Sequence, residues 1–400
     1  MEQKLVITRQ EDKIISAFFQ GRDMVQVSVN AAREEGILGN IYLGKVKNIV
    51  KNINAAFIEI ADGRMCYYSM SENRNPIMAN RSIADRTGEL KLRTGDELLV
   101  QVIREDIKTK APVVTSNINL TGKYVALTYG KTNLGVSSKI EDEKERQRLK
   151  DILKRQEQKD CGYILRTNAA YTPEEVILKE LNGLKETFER IKTYGIHQSP
   201  FSLLYRTPPN YICDIRDGYA DHVDQFITDD RELYDHIREY LEQYQAEDIG
   251  KLRLYDDPTY SLTNLYGINE KLKEALKPLV WLKSGGTLVI QPTEALTVID
   301  VNTGKAVAGK KKVQETFLKV NREAAKEIAK QIRLRNLSGI IIIDFIDMEL
   351  KKDKELLMEE LESYFKLDPV KTTLVDMTAL GLVEVTRKKV RKPLHEQMKE

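Results

Sequence analysis

Cysteine is scarce. The 400 residues hold three, Cys66, Cys161 and Cys213, and no two form a C-x-x-C pair. That excludes a disulfide-built scaffold and a zinc site made from neighbouring thiols of one chain. Long apolar runs are missing too. None approaches the ~20 residues of a membrane-spanning helix, and no apolar segment follows Met1 as a secretory leader would. A soluble, cytoplasmic chain without a membrane partner is expected. Nor does one charge dominate: 63 Lys and Arg oppose 61 Asp and Glu, a net +2. A polycation that grips nucleic acid over its whole surface is excluded, so any such affinity must come from local patches. Repeats and low-complexity tracts are also absent.

What is present concentrates between Thr293 and Met348. Two apolar, β-branched runs, LTVIDV and GIIIIDFID, each end in aspartate. Such runs read as buried strands. A charge at the exit of a buried strand has a task there, because exits reach solvent and build sites. Side chains i and i+2 share a strand face, so Asp300 and Asn302 point the same way. Asp344 shares a face with Ile340 and Ile342, while alternation turns Asp347 to the other side. If the strands are neighbours, Asp300, Asn302 and Asp344 converge. Two carboxylates and an amide oxygen are hard ligands suited to Mg²⁺. The plainer alternative is that each aspartate caps a turn or pairs with a lysine.

A competing motif lies between them. Gly304 to Lys311 reads GKAVAGKK, which is G-x-x-x-x-G-K-[ST] with Lys311 where a hydroxyl should meet Mg²⁺. A nucleotide hydrolase is therefore a second reading of the same segment.

The rest of the chain divides by pattern. Short strands (KLVITR, IISAFF, MVQVSV) fill residues 1–35. Residues 37–118 alternate strand-like runs with Gly and Asn turns, the pattern of a small OB-type barrel. Lys45, Lys47 and Lys51 fall near Tyr42, Phe57, Tyr67 and Tyr68 there. Basic residues among aromatics suit single-stranded nucleic acid, although most such rings belong in a barrel core. A charged helix is expected over 140–158 and an amphipathic one from Pro173 to Tyr194. A last helix, Gln314 to Leu337, carries Phe317, Ala324, Ile328 and Ile332 as a packing stripe, with Gly339 near its C-cap. Two basic runs remain, Lys310 to Lys312 and Arg387 to Lys392. Each reads as a solvated face or, beside a phosphodiester site, as phosphate contacts.

At this point TEALTVIDVNTG, FLKVNREAAKEIAKQIRLRNL and GIIIIDFIDM resemble the catalytic core of the ribonuclease E/G family. ILGNIYLGKVKNIVKNINAAFIEIADG resembles its S1 domain, GYILRTNAAYTPEEVI its 5′-end sensor, and LGLVEVTRKKVRKPL the close of its catalytic domain. The order of all four matches, over nearly the whole chain.

The resemblance implies an α+β multidomain fold. A split RNase H-like domain (1–35 and 212–276) would carry an inserted S1 barrel (36–118) and a 5′-sensor domain (119–211). A DNase I-like catalytic domain (277–400) would follow. It implies a Mg²⁺-dependent endoribonuclease, with Mn²⁺ also possible, acting on single-stranded, AU-rich RNA. Asp300 and Asp344 would be the metal ligands, with Asn302 orienting one of them. Phe57, Tyr67 and Lys110 would bind RNA; Tyr67 stands where Phe is commoner. Arg166, Thr167 and Lys371 would read a 5′ monophosphate; Lys371 stands where Arg is usual and lacks its bidentate fork.

One family feature is missing: the C-P-x-C-x-G segment through which two chains share a zinc. No zinc and at most a weak homodimer are therefore expected, and size fits the ribonuclease G type. A non-cleaving RNA-binding or assembly factor on the same scaffold stays open.

Overall fold

The computed structural model describes residues 2–32, 36–73, 75–81, 91–105, 111–156, 160–218, 223–304 and 313–399. The chain divides into two compact units, residues 36–209 and residues 1–35 with 210–400.

In the first unit, strand Ile41–Val50 pairs antiparallel with Ala55–Glu59 and with Glu97–Arg104. Ala55–Glu59 continues to Met65–Ser69. That strand runs parallel to Val113–Thr115, which returns to Glu97–Arg104. The ring closes as an OB-like barrel, which removes the exposed sheet edges that invite aggregation. Val46, Ile58, Tyr68, Leu98 and Val114 fill it. A four-stranded sheet in the same unit contains Val125–Tyr129 and Cys161–Leu165. Helices Glu143–Lys154 and Glu174–Gly195 pack into its core through Leu149, Leu153, Ile177 and Leu181. Asp142 caps the first helix by accepting the Lys144 and Glu145 amides. Pro173, with no N–H to lose, stands immediately before the second.

In the second unit, hairpins join Gln3–Gln10, Lys13–Gln20 and Asp23–Ala31. Gln225–Thr228 then adds parallel to the first strand, and Leu252–Leu254 adds beyond it. The chain leaves this sheet before residue 36 and re-enters it after 210, so the whole first unit is an insertion.

The six-stranded sheet of the same unit carries the two aspartate strands. Its spatial order is Leu279–Trp281, Thr287–Pro292, Leu296–Asn302, Gly339–Asp344, Leu382–Arg387, Thr372–Met377. Only the two central strands run parallel. They need a crossover, which helix Val313–Leu334 supplies. One sheet face is the core. Ile299, Val301, Ile341 and Ile343 pack there against Ala324, Ile328 and Ile332 of the crossover helix and Leu357 and Leu361 of helix Lys351–Lys366. Burying each such Ile or Leu stabilises the fold by about 1.5–3 kcal/mol. The other face keeps solvent access: Val298 and Ile342 are half-buried and Ile340 is exposed.

Two details differ from expectation. Phe317 is only half-buried, so the helix stripe starts at Val320. The left-handed residue after the helix is Asn336 (φ 48°), not Gly339, which opens the next strand at φ 88°. Asn tolerates that conformation because its short polar side chain can bond locally. Here Asn336 donates to the Arg391 and Lys392 carbonyls.

Candidate catalytic site

The central parallel register pairs Asp300 with Asp344 side by side. Asp344 ends its strand and Asp300 stands two residues before the end of its own, both on the open face, since the buried positions are 297, 299, 301 and 341, 343. Asn302 is the next residue on that face and donates its side-chain amide to Asp300 Oδ2 at 2.7 Å. Asp300, Asn302 and Asp344 thus lie together. Partial burial, then the negative charges of Asp300 and Asp347, pushes the Asp344 carboxyl above the usual carboxylate range. Alternation does not govern Asp347, because the strand ends at Asp344 and the chain beyond is irregular. Asp347 is exposed there, with its carboxylate near Gly381.

Two devices hold the strand ends, and the sequence pattern signalled neither. Fully buried Asn321, on the crossover helix, donates to the Ile346 carbonyl at 2.7 Å and accepts the Ile346 amide at 3.1 Å. That clamp fixes the segment just beyond Asp344. Gly304, two residues past Asn302, has φ 56° and is pressed so closely to the Gly285 carbonyl that a Cβ has no room.

Among the described residues no three His, Cys, Asp or Glu side chains gather as a closed metal cage. Mg²⁺ does not require one. It is commonly held by one or two carboxylates with waters and substrate phosphate oxygens. Two aligned carboxylates whose repulsion raises Asp344 form a donor set that a dication would relieve. Residues 305–312, with GKAVAGKK and Lys310 to Lys312, lie outside the described residues.

In the barrel, Phe57 and Tyr67 are cross-strand partners with ring centroids 6.3 Å apart, edge to face. Both are half-buried on the barrel exterior. Tyr42 and Tyr68 are core residues, and Tyr68 hydrogen-bonds Ser116. Lys45 and Lys47 are paired with Glu97 and Glu59. Lys51 is exposed. Lys110 lies outside the described residues.

Arg166 and Thr167 follow the strand Cys161–Leu165. Arg166 Nη1 donates to the Gly122 carbonyl at 2.6 Å, and Thr167 and Ser137 hydroxyls lie 3.0 Å apart. Glu180 accepts the amides of Lys123, Tyr124 and Val125. Burial pushes its carboxyl up, against those amides and the nearby Arg166 charge. Gly122 lies so close to the Glu180 carboxylate that no side chain fits between. Lys371 is exposed immediately before the edge strand Thr372–Met377. It belongs to the other unit.

The basic run 387–392 is neither one solvated face nor one phosphate patch. Arg387 is buried and paired with buried Asp368 at 2.7 Å, with further bonds to Asn336 and the Leu337 carbonyl. Arg391 pairs with Asp214 at 3.1 Å. Lys388 and Lys389 are exposed. Alternation explains this: Arg387 takes the core-facing phase of its strand.

A sequence model described as the Ribonuclease E/G family matches residues 119–390. Ribonuclease E of Nostoc sp. is 35% identical over 396 residues, which cover 98% of this chain and 57% of that protein. Ribonuclease G of Escherichia coli is 32% identical over 394 residues, 97% of this chain and 80% of the relative. A ribonuclease E/G-like protein of Pyropia yezoensis is 34% identical over 362 residues, 90% of this chain and 70% of the relative. The chain thus spans a little over half the length of the ribonuclease E relative. Relatives of both names match with similar identity.

Proposed function

The chain belongs to the ribonuclease E/G family, and we propose that it is a Mg²⁺-dependent endoribonuclease. Its substrate is single-stranded, AU-rich RNA with a preference for 5′-monophosphorylated ends, in cytoplasmic RNA processing and decay. The observation that carries this reading is the lateral pairing of Asp300 with Asp344 on an open sheet face, with Asn302 bonded to Asp300. Family membership favours RNA cleavage over the nucleotide-hydrolase reading of GKAVAGKK.

In this reading Asp300 and Asp344 hold the metal, with Mn²⁺ as a substitute. When bound, such an ion polarises the attacked phosphate and lowers the pKa of a ligated water. Asn302 fixes the Asp300 carboxylate, and Asn321 fixes the segment beyond Asp344. Phe57 and Tyr67 offer rings to unpaired bases, with Lys110 as a phosphate contact. Arg166, Thr167 and Lys371 read the 5′ phosphate, with Glu180 and the Gly122 carbonyl orienting Arg166. We assign 1–35 with 212–276 as an RNase H-like domain, 36–118 as S1, 119–211 as the sensor and 277–400 as DNase I-like. The shared sheet of the first assignment and the closed barrel of the second support this.

The deciding experiment incubates a 5′-monophosphorylated, AU-rich single strand with the protein in Mg²⁺ or in EDTA. Internal cleavage in Mg²⁺ and none in EDTA is expected. Binding without cleavage under both conditions would replace the enzyme with an RNA-binding or assembly factor.

A further inference from the structure

The chain has one tryptophan, and it stands on the open face of the catalytic sheet. Trp281 ends the edge strand Leu279–Trp281. It pairs with Thr287, which pairs in turn with Asn302. Cross-strand partners point to the same face, so Trp281 and Asn302 share one lateral row. The adjacent row runs Leu279, Val289, Asp300, Asp344. The buried phase of these strands is Leu288 and Ile290, which puts Trp281 on the solvent side. It is 70% exposed. A ring of this size left in water is available for stacking.

Its surroundings favour one occupant. Lys277 and Lys283 flank Trp281 in sequence, both exposed, and neither makes an ion pair among the described residues. An exposed aromatic ring in a stretch of chain that also carries exposed cations suits single-stranded nucleic acid. Two strand spacings separate Trp281 from Asn302, roughly 10 Å between Cα atoms. An extended single strand with one phosphate at the carboxylates therefore has a base within reach of the indole, about one or two nucleotides away.

We propose that Trp281 is a positioning residue: a stacking platform for the nucleobase one or two nucleotides from the scissile phosphate. This rests on the reading of Asp300 and Asp344 as the cleavage site.

The test uses the full chain and a 5′-monophosphorylated, AU-rich RNA of fixed cleavage position. A set of the same RNAs carries one abasic nucleotide at successive positions. Wild type should lose kcat/KM sharply, about 5- to 100-fold, at one position within two nucleotides of the cut. Trp281→Ala should show a similar loss on intact RNA and no further loss at that position. Trp281→Phe should restore most of the rate. In Ca²⁺, without cleavage, intact RNA should quench the single tryptophan and the matching abasic RNA should not.

An abasic profile in Trp281→Ala that matches wild type overturns the proposal, as does unquenched fluorescence at saturating RNA. If RNA leaves the fluorescence unchanged while Trp281→Ala alters the mass in light scattering, the face is a protein contact and the proposal fails. Undiminished cleavage by Asp300→Asn and Asp344→Asn defeats the underlying site instead and removes the premise. A missing abasic minimum in an enzyme that needs both carboxylates defeats the stacking alone.

Discussion

Asn302 gives its side-chain amide to one oxygen of Asp300, its neighbour on the same strand face, and Asp300 lies in register beside Asp344. This bond sets the carboxylate plane. Asp300→Asn and Asp344→Asn should each lower cleavage at least ~10²-fold with RNA affinity little changed, because charge stabilisation is lost in the transition state rather than in binding. Asn302→Ala should fall between them and wild type. Single-turnover cleavage with parallel gel-shift titrations reads both quantities. Near-normal cleavage by either aspartate variant in Mg²⁺ would remove these residues from the site.

Preference for a 5′ monophosphate over a 5′ hydroxyl should vanish in Arg166→Ala, while cleavage of the hydroxyl substrate stays near wild type. Glu180→Gln should weaken the same preference several-fold. It keeps the shape but loses the charge beside Arg166 and an acceptor for three backbone amides. Competition between the two substrates in one tube gives the ratio directly. If wild type shows no preference, or Arg166→Ala keeps all of it, this arginine does not read the phosphate.

The buried clamp at Asn321 makes a stability prediction with a catalytic consequence. Asn321→Leu leaves the amide and the carbonyl of half-buried Ile346 without their side-chain partner, each costing up to about 1–3 kcal/mol. The loop that follows Asp344 is then unheld. Denaturant unfolding should show a loss of about 2–5 kcal/mol, and kcat should fall more than KM rises. A variant as stable and active as wild type would show that the clamp holds nothing that matters.

Much of the six-stranded sheet is legible in the sequence because its signals are local. LTVIDV and GIIIID announce buried strands, and their alternation places Asp300, Asn302 and Asp344 on one face before any neighbour is known. The barrel is legible for the same reason, from short runs between Gly and Asn turns. What escapes depends on distant partners. Asn321 bonds a residue 25 positions away, and Glu180 caps a strand start more than 50 positions away. Arg387 sits in a basic run whose composition suggests solvent, yet its strand phase sends it inward to Asp368. The alternation argument itself stops where the strand stops, at Asp344, so it does not reach Asp347.

Acid should weaken the unit spanning 36–209 through Glu145. This nearly buried carboxylate takes two bonds from Arg148, at 2.6 and 2.9 Å, and the Tyr171 amide at 2.8 Å. The Arg148 bonds lead in holding its pKa below the ordinary value. In the window below that value, the unfolded chain binds the proton and the folded chain does not. Stability from this group is thus full above the unfolded value, about 4.3, and is lost as pH falls through the folded one. Glu145→Gln should be less stable at pH 7 and should lose less on going to pH 3. Urea unfolding at both pH values, followed by a probe in this unit, decides it; equal acid losses in the two proteins would assign the effect elsewhere.

The cysteines make the final prediction. Cys66, Cys161 and Cys213 are buried thiols, none of them in a disulfide. Zinc binds the thiolate, and burial opposes its formation. Cys161 is pushed up to about 11 and Cys213 is raised by the same cause. Cys161 and Cys213 cannot present a charged sulfur to a metal shared between chains without leaving their cores, and Cys66 is fully buried inside the barrel. The 400-residue chain should therefore be a monomer or weak dimer in light scattering over a concentration series, with a mass that EDTA does not change. The same samples should bind no stoichiometric zinc by elemental analysis. A tight dimer that separates on chelation would mean that a metal does bridge two copies. His395, half-exposed near the end of the described chain, would then be the first residue to mutate.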